Sequence, residues 1–409
     1  MNIITLIYSF MFFVGLFFLF IFLLLHYKNF DRLNFYPKPK RYPTISILVP
    51  AYNEEESLEN TINALIKTEY PAGKREIIII NDGSKDKTAE IAQKLANRHK
   101  EIVLLNKKNS GKANSLNEAL KIAKGELFAV VDADSYPNKD ALVKMVGFFD
   151  EEGVAAVTSR VLVKNKSKWL GKFQVMDYSI IAWTRKLLDF VNSVYVTNGP
   201  LSMYKKEIVI KAGGFDPKNL TEDIEITWNL LSKNYKTRMS YPAIVYTSVP
   251  ESLRMWIKQR VRWNLGGIQT AHKYYKSMFR NPENAFGYFV VPYVSASFAL
   301  ALIGFSLLIR YLWIKGNYQF YSLYYFFSGY DYWGHWQFEF YLTFLFTMAI
   351  IYFGLSIWYY KVGFRNSETG NKSILKILLY AFVYRSLYVI PLILALFKLA
   401  RGDLRWYTK

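Results

Sequence analysis

The sequence predicts an α/β domain set between apolar helices long enough to cross a membrane. Three observations carry this. Short apolar runs alternate with stretches of helical spacing from Ile45 to Val131. Four long apolar runs lie outside that region. The 409-residue chain is 52% hydrophobic and 18% aromatic yet carries a formal net charge of +20. That balance argues against a wholly soluble chain, and the long apolar runs exclude a disordered one. Cysteine is absent, which rules out a disulfide scaffold, a Cys-ligated zinc site, an Fe–S cluster and a thiol nucleophile. Four scattered histidines (His26, His99, His272 and His335) argue against a His-based metal site.

The first apolar run, Ile3 to Leu25, contains no charged side chain and exceeds the ~20 residues a helix needs to cross a hydrocarbon core. A signal peptide would be shorter, with a positive charge before it and small residues after it. Here Lys28, Arg32, Lys38, Lys40 and Arg41 come after it instead. Residues 1–28 therefore read as an uncleaved anchor, and the positive-inside bias puts the next part of the chain in the cytoplasm. Further runs cover Phe286–Ile309, Phe338–Tyr360 and Ile374–Ala400, so 286–409 is expected to hold about three membrane helices. The aromatic stretch Tyr318–Trp336 and the polar turn Lys361–Lys372 read as connections. Counting crossings returns the polar turn to the cytoplasm, in accord with Lys361, Arg365 and Lys372. It also puts the C-terminus outside, against the basic cluster of Lys398, Arg401, Arg405 and Lys409. Either the last segment does not span simply, or the aromatic stretch also enters the bilayer. Arg385, inside the last run, either faces a polar partner or snorkels to an interface. A multi-pass protein of the cell (plasma) membrane is expected, with its catalytic domain cytoplasmic.

Between the first two runs lies one large domain, expected over 29–248, with interfacial amphipathic helices after it over 249–285. Ile45–Val49, Ile77–Ile80, Val103–Leu105 and Leu127–Val131 read as buried strands. Glu54–Thr68, Lys85–Arg98 and Lys112–Ala123 carry helical spacing. Such alternation implies a parallel sheet covered on both faces, and ligands bind at the carboxyl ends of its strands. At those ends stand Tyr52-Asn53-Glu54, Asn81-Asp82-Gly83-Ser84 and Asp132-Ala133-Asp134.

No Gly-x-Gly-x-x-Gly stands after the first strand, so a dinucleotide site is not expected. Ser110-Gly111-Lys112-Ala113 lacks the upstream glycine of a P-loop (Asn106 stands there) and the hydroxyl after the lysine, which excludes that motif. Asp132 and Asp134 can hold a hard divalent cation through oxygen. Surface turns produce the same pair, but the strand-end position, with Asp82 on the neighbouring strand, favours the metal. Thr221-Glu222-Asp223 reads as a helix start, with Thr221 as cap and acids in the first turn. The same placement would fix a carboxylate for catalysis. Gln259-Arg260-Val261-Arg262-Trp263 lies in a basic stretch, Arg254–Arg280, interleaved with Trp256, Ile257 and Leu265, which suits a helix on anionic lipid. Arginine also binds phosphate through paired bonds, and tryptophan offers a flat face to a sugar ring. Lys164–Lys186, with Trp169, Phe173 and Trp183, reads as another membrane-surface helix or as a solvated amphipathic one.

In order along the chain stand VPAYNEE (Val49–Glu55), NDGS (Asn81–Ser84), GKA (Gly111–Ala113), DAD (Asp132–Asp134), NGPLSMYKK (Asn198–Lys206), TED (Thr221–Asp223) and QRVRW (Gln259–Trp263). Together they resemble the processive, inverting family-2 glycosyltransferases of the GT-A fold, the membrane synthases of cellulose, chitin, hyaluronan and poly-N-acetylglucosamine. The resemblance covers Ile45 to Trp263. TEDIEITW and KQRVRWNLGG are similar to poly-β-1,6-N-acetylglucosamine synthases, whereas GPLSMYKKE is similar to hyaluronan and chitooligosaccharide synthases. One apolar helix precedes the domain, where several of these synthases have two. That departure bears on the first wall of any polymer channel.

The resemblance also implies roles for single residues. Tyr52 and Asp82 would hold the uracil and ribose of a UDP-sugar, with Glu54 beside them. Asp132 and Asp134 would bind the donor, Asp134 as the principal ligand of Mg²⁺ or Mn²⁺. Lys112 would touch the donor. Asp223 would be the general base. Gln259, Arg260 and Arg262 would close over the diphosphate. Trp263, with Glu222, would carry the acceptor end of a growing polysaccharide. The lipid bilayer and accessory secretion subunits are implied partners, and nucleic acid is not. Two other classes stand beside this reading: a membrane enzyme adding one sugar to a polyprenyl phosphate or glycolipid, and a non-catalytic membrane scaffold.

Overall fold

The computed structural model describes residues 3–276, 286–328, 344–367, 370 and 372–402. They form two compact units, one drawn from Met1–Leu23 and Pro292–Tyr360, the other from Leu24–Val291 and Lys361–Lys409. Helix α1 (Ile3–Lys28) contributes to both.

The larger unit is built on one eight-stranded sheet. Its elements run in the order β1 (Ile45–Ala51), α2 (Leu58–Ile66), β2 (Arg75–Asp82), α3 (Thr88–Arg98), β3 (Ile102–Lys107), α4 (Lys112–Ile122) and β4 (Leu127–Val130). Then come β5 (Ser135–Pro137), α5 (Val143–Val146), β6 (Val154–Val163), α6 (Trp169–Asp189), β7 (Ser202–Lys205), α7 (Lys206–Ala212), α8 (Glu222–Ser232), β8 (Lys236–Thr247) and α9 (Leu253–Tyr274). The spatial order is β3-β2-β1-β4-β7-β6-β8-β5. Strands β1 to β4 pair in parallel, as the strand–helix alternation predicts. The expected all-parallel sheet is corrected in its other half: β7 runs antiparallel to β4 and β6, and β5 antiparallel to β8.

The sheet is buried on both faces. Ile47, Val49, Ile77 and Ile79 meet Leu58, Ile62 and Leu65 of α2 and Ala92 and Leu95 of α3. Leu48, Ile78, Ile80, Phe128 and Val130 meet Leu116 and Leu120 of α4 and Ile226 and Leu230 of α8. Each such side chain contributes about 1.5–3 kcal/mol when fully buried. Because β2 and β3 lie to one side of β1 and β4 to the other, the chain order reverses beside β1. The crevice of a doubly wound sheet opens at that point, past the carboxyl ends of β1 and β4.

Element ends differ from the sequence reading for local reasons. The helix expected from Glu54 begins at Leu58, because Glu54 closes a turn: its carbonyl accepts from the amides of Ser57 and Leu58, and its carboxylate from Ser57 Oγ at 2.6 Å. Strand β6 is buried at all ten positions, so the alternation that marks a half-exposed strand is missing. Strand β8 contains Pro242, and its register against β6 slips between Thr158 and Arg160, a bulge where a proline is tolerated. The expectation that 164–186 lies on a membrane or solvent surface is corrected for most of the stretch. Leu170, Gln174, Asp177, Trp183 and Lys186 of α6 are buried, whereas Trp169 is exposed.

The smaller unit holds α10 (Val291–Phe327) and α11 (Phe344–Arg365, up to Tyr360) with the start of α1. Phe18 and Phe22 of α1 pack edge-on to Tyr293, and Tyr352 approaches Gly15 so closely that a Cβ there would lie 2.6 Å from its ring. Helix α10 continues past Arg310 to Phe327, so the first part of the aromatic stretch is helical and not a loop. Residues 329–336 of that stretch, and 338–343 of the third expected span, lie outside the described residues. Among the described residues, three segments are long and apolar enough to cross a membrane: Leu6–Lys28, Phe286–Ile314 and Ile374–Ala400. The last is not one regular helix. It runs as α12 (Ile374–Leu378), a π-helical turn (Leu379–Tyr384), a 3-10 turn (Arg385–Tyr388) and α13 (Val389–Ala400), and α13 packs on α9 within the larger unit.

Candidate active site

The loops after β1 and β2 form one wall of the crevice. Asn53, at φ 56, turns the chain out of β1. Its amide donates to Ser84 Oγ at 3.1 Å and its Oδ1 accepts from the Lys85 amide at 2.9 Å. The Glu54 amide donates to Thr88 Oγ1 at 2.8 Å. The VPAYNEE and NDGS motifs are thus one laced structure, with Tyr52 half-buried in it. Asp82 is buried and fully engaged. Its Oδ1 accepts from Lys107 Nζ at 2.8 Å and the Ser110 amide at 2.9 Å, and its Oδ2 from the Gly111 amide at 2.9 Å. Asp82 therefore shapes the Lys107–Gly111 loop that delivers Lys112 to the first position of α4.

Lys112 is the centre of the site. Its Nζ lies 2.6 Å from Asp132 Oδ1 and 2.6 Å from Glu222 Oε1, joining the end of β4 to the start of α8. Burial opposes its charge, but Asp132, Glu222 and Asp223 outweigh that and raise its pKa. Burial pushes Glu222 the other way, yet Lys112 and Arg262 hold its carboxyl below the usual range. Asp223, half-buried beside it, is raised to about 6, first by burial and then by the Glu222 charge, against Lys112 and Arg262. The two acids of the TED motif are therefore split: Glu222 is a fixed anion and Asp223 a carboxyl able to exchange a proton near neutrality. Thr221 occupies the N-cap position, but its side chain makes no cap bond. Its hydroxyl donates to Asn219 Oδ1 at 3.2 Å instead.

Gly199 of NGPLSMYKK closes the floor. A Cβ there would lie 2.6 Å from Asp132 Oδ2 and 3.0 Å from Lys112 Nζ. Gly199→Ala should therefore part the Lys112–Asp132 pair while the sheet stays folded. The expected result is a lower midpoint of thermal unfolding, by less than the loss of Lys112 itself would cause.

Helix α9 brings the QRVRW motif to this edge through a dense seam with α8. Lys273 Nζ reaches Glu225 and Asp216, each at 2.6 Å, Asn219 Nδ2 donates to Thr270 Oγ1 at 2.9 Å, and the Leu220 amide donates to Gln269 at 3.1 Å. Gly266 lets the helices touch, since a Cβ there would overlap the Thr221 side chain. Arg262 acts electrostatically on Glu222 and Asp223. Gln259 Oε1 accepts a long bond, 3.4 Å, from Arg260. Arg260 itself is buried. Its guanidinium lies 3.4 Å from Asp177 and 3.9 Å from the centroid of the half-exposed Trp263 ring. Arg260 is thus packed beneath the motif, where the resemblance puts it over a diphosphate.

Asp134 has Ser135 Oγ at 3.4 Å and Thr247 Oγ1 at 3.5 Å. No cluster of three or more Asp, Glu, His or Cys side chains suited to a metal is present among the described residues. The oxygen donors of Asp132 and Asp134 nevertheless fit Mg²⁺ or Mn²⁺, because such ions take most of their ligands from substrate phosphates and water and need only one or two carboxylates.

Four residues of this region are given no role by the sequence reading: Asp177 and Arg185, which lie in the basic-aromatic stretch, and Asn198 and Gly199, which it names only as the start of a motif. Arg185 binds Asn198 Oδ1, and Asn198 Nδ2 donates to the Ser159 carbonyl at 2.9 Å. Only the unbroken run from Asn198 to Lys206 marks this segment in the sequence.

The mixed sheet thus carries a Lys–Asp–Glu–Asp cluster beside its switch point, where ligands of open α/β sheets bind. Residues 46–213 match the family model Glycosyl transferase family 2, and the chain carries a family-2 glycosyltransferase domain on a GT-A sheet. It is similar to poly-beta-1,6-N-acetyl-D-glucosamine synthase of Staphylococcus aureus (strain COL), 32% identical over 272 residues, 66% of this chain and 62% of that one. The corresponding synthase of Staphylococcus epidermidis is 36% identical over 225 residues, 54% of each chain. The match thus spans less than two thirds of these relatives. Among solved structures, the mannosyltransferase PcManGT from Pyrobaculum calidifontis, in complex with GDP-Man and Mn2+, superposes with a TM-score of 0.53 at 21% identity, covering 76% of this chain and 92% of that one. That likeness bears on the fold alone.

Proposed function

We propose that the chain is a processive, inverting glycosyltransferase that builds a β-linked, N-acetylglucosamine-containing polysaccharide from a UDP-sugar. The observation that supports this most is Asp223. It is a half-buried carboxyl raised to about 6, in the first turn of α8 and in the field of Arg262, whose helix α9 also carries Trp263. The activity of the Staphylococcus synthases supports the product class.

In this reading an acceptor hydroxyl attacks the anomeric carbon in line. The new C–O bond forms as the bond to the diphosphate oxygen breaks, and UDP leaves with the electron pair. Asp223 takes the hydroxyl proton, a role typically worth ~10²–10⁴-fold. One displacement inverts the centre, so an α-linked donor gives a β-linked product. Arg262 balances charge building on the diphosphate. Tyr52 walls the base, with Asp82 setting the loop below it, and Glu54 holds the turn between them. Lys112 keeps Asp132 and Glu222 in register. Asp134, with Asp132, would hold Mg²⁺ or Mn²⁺, which when bound shields the diphosphate. Trp263 presents its ring to the acceptor sugar.

The three apolar segments and the basic residues Lys28, Arg32, Lys38, Lys40 and Arg41 support a multi-pass membrane protein with the α/β unit cytoplasmic. The polymer would leave through the chain's own helices, aided by accessory secretion subunits. The exposed Leu253, Arg254, Met255 and Lys258 give α9 a face suited to anionic lipid.

The test is product length. The purified chain in lipid nanodiscs, given a panel of UDP-sugars with Mg²⁺ or Mn²⁺, should release UDP and make a ladder of oligosaccharides from UDP-N-acetylglucosamine. A single addition, or no transfer with any donor, overturns the reading. Trp263→Ala should keep UDP affinity and slow elongation by about ten-fold, the weight of one aromatic stacking contact.

A further inference from the structure

We propose that Asp177 is a positioning residue for the acceptor. Its carboxylate fixes Arg260 against the Trp263 ring and ties α9 to the last apolar segment, so that the acceptor platform is set from Ile374–Ala400. This rests on the proposed function only in calling Trp263 the acceptor platform.

Asp177 lies on α6 and is fully buried. Five donors converge on it from α9 and the last apolar segment. Arg260 Nη2 of α9 is 3.4 Å away and Arg385 Nη1 3.5 Å. Tyr380 Oη donates at 3.0 Å, Tyr384 Oη at 3.4 Å, and Tyr388 Oη donates as well. A carboxylate has about four lone-pair sites, so this one is saturated, as a buried charge requires. Trp256 Nε1 of α9 also donates to Tyr384 Oη at 3.1 Å.

This convergence falls where the last segment is irregular. The π turn over Leu379–Tyr384 and the 3-10 turn over Arg385–Tyr388 lie where all three tyrosine hydroxyls meet one carboxylate. Irregular turns of this kind cluster at functional sites. Arg260 carries the effect onward. Its guanidinium lies 3.9 Å from the Trp263 centroid, 5.6 Å from that of Trp256 and 5.4 Å from that of Tyr388, and its buried Nε has no hydrogen-bond partner among the described residues. The Asp177 charge and the surrounding rings therefore hold most of it. Lys112 pairs with Asp132 and Glu222, whereas Asp177 and its tyrosines gather around Arg260, so the influence of Asp177 on transfer passes through that arginine.

The experiment is a double-mutant cycle on the full chain in nanodiscs, with hydrogen exchange as a second readout. Asp177→Asn keeps the shape and removes the charge. Exchange across 253–274 should rise by about ten-fold while β1–β4 and the UDP Kd stay unchanged. Elongation should fall, and adding Asp177→Asn to Trp263→Ala should cost nothing more, because both act on one platform. Tyr388→Phe, which removes one hydroxyl, should give a smaller change of the same kind and replaces Asp177→Asn if that variant fails to fold. Unchanged α9 exchange, or multiplicative losses in the double variant, overturns the proposal. A wild-type chain that elongates nothing overturns the proposed function instead, and α9 exchange then still decides the anchoring role.

Discussion

Asp223→Asn should lower turnover by about 10²–10⁴-fold and leave UDP binding intact. The amide keeps the shape of the side chain and its contact with the Ile224 amide, 2.9 Å in the parent, but cannot accept the acceptor's proton. The same carboxyl sets a pH dependence. Burial and the Glu222 charge raise Asp223 to about 6, and only its deprotonated form is a base. In the parent chain kcat/KM should therefore climb as pH rises through about 6 and level off above it. The residual activity of Asp223→Asn should lose that limb. A variant with parental turnover, or one retaining the same acid limb, would remove Asp223 from the role of base.

Lys112→Met should have the second largest effect, for an electrostatic reason. Lys112 Nζ is shared at 2.6 Å between Asp132 and Glu222, with the three side chains 21%, 30% and 10% exposed. Removing one partner of a buried pair costs about 3–5 kcal/mol, and partial solvent access puts this case at the lower end. Transfer should be abolished or nearly so, with a lower unfolding midpoint. A second signature separates this from simple destabilisation. Lys112 pulls the Asp223 pKa down, so without it the acid limb of whatever activity remains should move above pH 6. Lys112→Arg, which keeps the charge, should restore part of the activity. A Lys112→Met chain with normal stability and an unmoved pH limb would contradict the arrangement.

Much of the crevice is legible in the sequence because the parallel half of the sheet delivers strand ends to one edge. Tyr52, Asp82, Asp132 and Asp134 can be placed together from four apolar runs alone, and the runs are nearly where the strands are. The meeting of Lys112 with Glu222 is not legible. Lys112 stands after a loop that resembles part of a phosphate-binding turn, and its partner lies 110 positions later in the chain, where no local period reports on it. Asp177 is the harder case. In sequence it is one acid in a basic, aromatic helix, and its partners Tyr380, Tyr384 and Tyr388 lie 203, 207 and 211 residues away. The tyrosines look like ordinary members of an apolar run. Arg260 reads as a phosphate ligand because its neighbours in the motif do, yet burial turns it inward. The last segment, on which the count of crossings turns, is not plain in the sequence either: Ile374–Ala400 changes helical type three times and packs with the α/β unit.

That packing has a consequence for how the protein is made. The helix carrying Gln259–Trp263 is buttressed by α13 and by tyrosines that leave the ribosome more than a hundred residues after it. Contacts so far apart in the chain form late, because loop closure must be completed before they stabilise anything. The sheet can assemble early from its neighbouring strands, but a nascent chain short of residue 388 has no anchor for the arginine behind Trp263. Such an intermediate would possess a nucleotide pocket and lack a seat for sugar chains. If the chain has the function proposed above, polymer growth would then await the docking of the final hydrophobic segment on α9, and completion of the chain would itself be a checkpoint on output.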